Sequence, residues 1–195
     1  MKATIKPILA VIFLLLVLSF SASSHVPEPL SLSSKSVSTT DQPVQQAKNT
    51  GKFVLKSPAF SNNGKIPRKY SRRGGNVSPP LTWENPPGGT RSYVLTVKDP
   101  DAPGGTFTHW VIFNIPGDLT RLPEGVPREK TLANGAQQAR NDFRGTGYGG
   151  PDPPGGTHRY VFRLIALDVE KIKKPGKKII KKHTLGEATL TASYP

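Results

Sequence analysis

Five side chains able to bind an anion or hold a proton arrive in two short stretches framed by proline and glycine. In the first, residues 98–115, Asp99 and Asp101 flank Pro100, and His109 follows Pro103 and the pair Gly104 and Gly105. In the second, residues 149–160, the run Gly149-Gly-Pro-Asp-Pro-Pro-Gly-Gly156 leads to His158 and Tyr160. Proline and glycine restrict the connecting backbone, so Asp99, Asp101 and His109 are held near one strand end. Two imidazoles can donate N–H bonds to an anion, more strongly when protonated. Backbone N–H groups of a glycine-rich loop can deepen such a concavity. A carboxylate beside them can hold a histidine tautomer, or accept a proton from an ammonium or hydroxyl of the ligand. The same set has other uses. Two His and two Asp suit zinc, Asp, His and Tyr invite hydrolysis, and a polar network can simply tie loops to a core. No Ser stands in a nucleophile-elbow pattern, which weakens the hydrolytic alternative.

The segments that carry these groups read as strands. Tyr93, Leu95 and Val97 alternate onto one face, as do Phe107, His109, Val111, Phe113 and Ile115 in the next run. The apolar stretch Trp110-Val-Ile-Phe113 reads as a central strand buried on both sides. A third run aligns His158, Tyr160, Phe162, Leu164 and Ala166 on one face. Shorter strands are expected after Phe53, stopped by Pro58, and before the turn that starts at Asn85, with a closing strand over residues 183–194. His109 alone, at the edge of an apolar face, reads as a structural histidine. The arrival of His158 and Tyr160 on a separate strand makes it a ligand contact.

Composition sets the frame. Of 195 residues, 19 are Gly and 20 are Pro, placed between apolar runs as in a loop-rich β protein. The absence of Cys excludes disulfides, thiol catalysis and thiolate metal sites. Lys and Arg number 27 against 13 acids, a formal charge of +14. That charge supports an electrostatic preference without defining a face, and nucleic acid is not the expected partner. Residues 1–24 have the order of a secretory leader: Lys2 and Lys6, an apolar run over 8–18, then small residues. Residues 25–50, rich in Ser, Thr, Gln and Pro, read as a flexible spacer, and residues 51–195 as one folded domain. Secretion or a periplasmic location after leader cleavage follows as an expectation. Residues 116–147 form a long polar stretch in which no strand is assigned. Seven lysines between 171 and 182 read as a solvated hairpin or edge, with peripheral contact to an anionic membrane as an alternative.

Several motifs together resemble the phosphatidylethanolamine-binding protein family, in its bacterial and archaeal Raf-kinase-inhibitor-like branch. They are Asp99-Pro-Asp-Ala-Pro103, His109-Trp110 with Asn114-Ile-Pro116, Ser78-Pro-Pro-Leu-Thr-Trp83, Gly149-Gly-Pro151 with Pro153-Pro-Gly, and His158-Arg-Tyr160. The resemblance covers residues 53–194 and implies an all-β-dominated, two-sheet β-sandwich with short peripheral helices. It implies a ligand-binding pocket built from Asp99, Asp101, His109, Gly149, Pro151, His158 and Tyr160, with no cofactor, metal or turnover. The implied ligands are small anionic or phosphorylated groups, such as phosphate esters and phospholipid head groups. Some members of the family inhibit proteases or kinases, so a protein partner is the alternative. Many bacterial relatives carry cysteines where this chain has Arg72 and Asp152, and an Arg72–Asp152 ion pair is expected to replace the covalent link. The lysine-rich segment also departs from the longer, less basic helical insertion usual in relatives.

Overall fold

A computed structural model describes residues 51–195; the leader and spacer expected over residues 1–50 lie outside the described residues. Eight strands form two antiparallel sheets. The small sheet orders β1 (Val54–Lys56), β2 (Leu81–Glu84) and β5 (Arg121–Leu122) as β1-β2-β5. The large sheet is β6-β4-β3-β7-β8, built from β3 (Ser92–Asp99), β4 (Phe107–Pro116), β6 (Gln137–Gln138), β7 (His158–Leu167) and β8 (Thr184–Tyr194). One α-helix, α1 (Lys177–His183), and one 3-10 turn at Arg68–Tyr70 complete the described elements. Among these residues no helix is long and apolar enough to cross a membrane. The expected β-sandwich with short peripheral helices is what forms.

The alternation read from the sequence explains the core. Tyr93, Leu95 and Val97 of β3 join Tyr160, Phe162, Leu164 and Ala166 of β7 in the cluster between the sheets, facing Leu55, Leu81, Trp83 and Leu122. Burying each large apolar side chain contributes about 1.5–3 kcal/mol. The opposite face of the large sheet holds a second, smaller cluster of Val94, Phe113, Ile165, Leu167 and Ile172, against which Ile179 and Ile180 pack.

Strand β4 departs from simple alternation. Val97 pairs with Trp110 and Lys98 with Thr108, which leaves His109 as the extra residue of a bulge. Tyr93 pairs with Ile115 and Leu95 with Ile112, so a second irregularity falls at Phe113 and Asn114, where Asn114 takes φ 56°. The five residues from Phe107 to Ile115 therefore do not share one face as expected. Trp110, Ile112 and Ile115 face the core between the sheets, and Phe113 faces the outer cluster. A bulge re-aims the side chains on either side of it, and here it brings both His109 and Trp110 into the interior.

One stretch left open is now filled, and one further expectation is corrected. The stretch 116–147 contains β5 and β6. Its order rests on buried Gln138, whose amide donates to the carbonyls of Pro127 and Glu129 and accepts from the Trp110 indole at 2.7 Å. The lysine-rich segment forms α1 in place of a hairpin, because adjacent Ile179 and Ile180 supply an apolar stripe for the outer cluster.

Asn114 ties the second irregularity to the segment before α1: its amide donates to Ile172 O at 3.1 Å and accepts from Ile172 N at 2.8 Å. Asn114→Ala would strand two buried backbone groups and put alanine, which tolerates the left-handed region less well than asparagine, at φ 56°. The expected loss is about 3 kcal/mol, read by urea unfolding.

Candidate functional site

Histidine 109 is held twice by one residue. Its main-chain carbonyl accepts from Gly149 N at 2.9 Å, and its ring Nδ1 donates to Gly149 O at 2.8 Å. The residue is 3 % exposed, and its ring packs edge-on against Tyr160 and Phe143 and at a tilt against Phe107, at centroid distances of 5.1, 5.3 and 5.1 Å. Burial pushes its pKa below the ordinary 6.5, against smaller opposing effects from its bonds to the glycine loop and from Asp99. The neutral ring then carries its proton on Nδ1 and offers Nε2 as a lone pair.

Histidine 158 is set the same way by a different partner. Its Nδ1 lies 2.7 Å from Asp99 Oδ2 in a buried pair. The other Asp99 oxygen accepts the main-chain N–H of Asp101 at 2.8 Å. Asp99 is thus an orienting group with both oxygens engaged. In both histidines Nε2 is the nitrogen left for a ligand.

Asp101 has a different task. Its carboxylate accepts from the main chain and guanidinium of Arg159, at 2.7–2.9 Å, and does not line the pocket. That guanidinium holds its carboxyl well below the usual carboxylate range. Asp101 clamps the loop after β3 to the start of β7. Gly149 and Pro151 also stand behind the wall. Gly149 grips His109, and Pro151 O accepts from Arg72 N at 2.9 Å.

The pocket, about 370 Å³, is bounded by Asp99, residues 102–107, His109, Asp142, Phe143, residues 152–154, His158 and Tyr160. Phe143 and Asp142 carry no signal in the sequence, because they stand in an irregular loop without periodicity. Phe107 was placed on a face but not in the site. Phe143 separates the pocket from the Arg72 guanidinium, which lies 4.1 Å from its ring on a cation–π contact. A β-carbon at Gly149 would come within 2.5 Å of that ring, so glycine is required there.

Tyr160 is the most informative member. It is 1 % exposed, its side chain helps line the pocket, and its buried hydroxyl has no hydrogen-bond partner. Burial raises its pKa and keeps the phenol protonated; the neighbouring Asp152 N–H offsets this slightly without reaching bonding geometry. Leaving such a group unpaired costs about 1–3 kcal/mol. The one other orphaned buried side-chain group among the described residues, Trp83 Nε1, belongs to the core.

The expected Arg72–Asp152 pair forms at 3.6 Å, but Arg73 approaches the same carboxylate more closely, at 2.7 Å. Partly exposed pairs of this kind contribute about 0–1 kcal/mol. The two loops are joined more firmly by a buried bond, Tyr148 OH to Tyr70 O at 2.9 Å, and a part-buried one, Gly150 N to Asn76 Oδ1 at 2.8 Å. Among the described residues no group of three or more His, Cys, Asp or Glu side chains converges to hold a metal ion.

The fold is thus an antiparallel β-sandwich with a ligand-sized pocket at one strand end, walled in part by aromatic rings. The sequence model described as phosphatidylethanolamine-binding protein matches residues 56–195, and the chain belongs to that family. A UPF0098 protein of Methanothermobacter thermautotrophicus is 47% identical over 146 residues, covering 72% of this chain and 97% of that protein. The crystal structure of Escherichia coli YbcL, described as a new member of the mammalian PEBP family, is similar with a TM-score of 0.68 and 34% identity, covering 74% of this chain and 98% of that one. A putative phosphatidylethanolamine-binding protein homologue from Chlamydia trachomatis gives 0.65 and 34%, with coverages of 73% and 97%.

Because the unfolded chain protonates His109 near 6.5 while the folded one resists, acidification favours unfolding. The His109 contribution is complete above about 6.5 and is lost as pH falls from there through the depressed folded value. Urea unfolding across that window should show a steeper loss of stability in the parent than in His109→Gln. Parallel curves would exclude the burial effect.

Proposed function

We propose that the pocket binds the phosphate ester of a small amine-bearing head group, of the phosphoethanolamine class, without turning it over. The observation that carries this proposal is the buried, unpaired hydroxyl of Tyr160, a residue that lines the same pocket as two imidazoles whose Nδ1 atoms are already committed. A phosphate oxygen would accept from Tyr160 OH. Each Nε2 would bond to the phosphate by carrying a proton, or by accepting one from the ligand.

The charge of the wall argues for the amine. No Lys or Arg lines the pocket, whereas Asp99, Asp142 and Asp152 do. Asp99 is spent on His158, and Asp152 on Arg73. Asp142 accepts Thr108 N–H through Oδ2, and its other oxygen takes no side-chain or backbone bond among the described residues. A bare dianion would meet this acid with little compensation, whereas an ammonium at the same spot would pair with it. Turnover has no support in the side chains: the groups facing the cavity bind and orient, and none is an activated nucleophile. The proposal includes export to the periplasm or exterior, supported by the leader-like order of residues 1–24.

Binding is expected to take up a proton, since an anion beside the buried, neutral His109 favours its charged form; calorimetry in buffers of different ionisation enthalpy between pH 6 and 7.5 reads this. Tyr160→Phe should weaken phosphoethanolamine binding about tenfold while leaving stability unchanged or slightly raised, because the lost hydroxyl had no protein partner. His158→Ala should abolish the chemical-shift changes that phosphoethanolamine induces in the parent protein, and Asp142→Asn should reduce the preference for phosphoethanolamine over inorganic phosphate. Equal affinity of the parent and Tyr160→Phe would overturn the proposal. Release of inorganic phosphate in overnight phosphorus NMR would overturn the absence of turnover.

A further inference from the structure

The pocket makes no use of the most basic stretch of the chain. Seven lysines stand between residues 171 and 182 with no acid among them, and all seven are exposed. The acids that flank the stretch are committed elsewhere: Asp168 to His183 at 2.8 Å, Glu170 to Arg91 and Glu187 to Arg163, both at 2.5 Å. Among the described residues none of these lysines forms an ion pair.

Helix α1 is poorly matched to this charge on its own terms. Lys177 with Lys181 and Lys178 with Lys182 are like charges one turn apart, which repel. The first turn contains no acid and Gly176 offers no side-chain cap, so two of these lysines sit where the helix dipole favours negative charge. Packing of Ile179 and Ile180 on the sheet holds the helix, and negative charge laid over it would relieve the repulsion.

The lysines do not stand alone. Val169, Ile172 and Ile179 line a shallow apolar recess rimmed by Lys171, Lys173 and Lys174. Leu185, just beyond the helix, is the one large apolar side chain that stands exposed among the described residues, at 40%. Long lysine stems around an apolar floor, with ammonium heads free to rise, suit the boundary between lipid head groups and acyl chains. Residues 168–186 contain no Arg and no Phe, Tyr or Trp, so the guanidinium forks and stacking platforms that favour nucleic acid are missing.

We propose that residues 169–185 form a docking surface for the anionic face of a phospholipid bilayer. Strand β7 separates this surface from the pocket: His158 stands at one end and Leu167, which leads into the basic segment, at the other. Its ten residues span roughly 30 Å, so occupancy of one site leaves the other accessible.

The test is hydrogen exchange of the intact chain with vesicles of phosphatidylcholine containing one-third phosphatidylglycerol, at about 0.1 M salt. Exchange in residues 171–185 should slow severalfold. It should not slow with phosphatidylcholine alone, and the protection should vanish near 0.5 M salt, roughly where screening shortens the Debye length to a few ångströms. Lys173→Glu/Lys174→Glu/Lys178→Glu should lower vesicle affinity at this segment about tenfold or more, whereas arginine at the same three positions should preserve it. Both variants should bind phosphoethanolamine like the parent, which separates this surface from the pocket. If the charge-reversed protein melts early, glutamine at those positions reads the same loss. Exchange unchanged by anionic vesicles, protection that survives charge reversal, or equal protection by duplex DNA at matched phosphate concentration would each overturn the proposal.

Discussion

The double pairing of His109 with Gly149 is the constraint on which the site depends. It joins the bulge of β4 to the glycine-rich loop through one main-chain and one side-chain bond, 2.9 and 2.8 Å long. It fixes which ring nitrogen faces the cavity, and it holds the loop where Phe143 can close the wall. The bulge is the prior condition: without the extra residue, strict alternation would send His109 and Trp110 to opposite faces. With it, Trp110 fills the core and reaches Gln138, while His109 turns to the pocket. Fold and site share one local irregularity.

The acids divide the remaining labour. Asp99 is buried and orients His158; Asp101 is at the surface and clamps Arg159; Asp142 borders the cavity mouth; Asp152 anchors Arg73 and Arg72. Their different environments follow from a few residues of chain. Pro100 turns the backbone after Asp99, so two carboxylates separated by one residue meet opposite surroundings, one within the sheet end and one in solvent. The result is a cavity that holds polar groups without holding net positive charge, although the chain as a whole is strongly basic. Global charge and site charge are separate quantities here, and the lysines that dominate the first lie at the far end of β7.

The two ends of the sandwich are stabilised by different means. At the pocket end, buried and part-buried hydrogen bonds between residues 70–76 and 148–151 join two loops that would otherwise depend on exposed ion pairs. At the basic end, Asn114 bridges to Ile172 and a few isoleucines hold a self-repelling helix against the sheet. Bonds in the interior lose little to solvent screening, whereas the lysines outside it are governed by whatever charge comes near.

The sequence by itself determined the strand faces of β3 and β7, the β-sandwich class, and the grouping of Asp99, His109, His158 and Tyr160. The strand faces and the grouping follow from two-residue periodicity and from proline and glycine at the turns, which are local properties; the sandwich class follows from the resemblance of the motifs to a known family. The pairing register was decided only in three dimensions: the bulge at His109 depends on which β3 residue lies opposite it. So were the separate tasks of Asp99 and Asp101, since Arg159 and His158 arrive from a strand some sixty residues away. Phe143 and Asp142 were hidden because they stand in irregular chain, and Gln138 because its strand β6 is only two residues long; position there is set by tertiary hydrogen bonds and not by period. The sequence showed the two halves of a site. Tertiary packing alone decided which nitrogen, oxygen and hydroxyl would face the space between them.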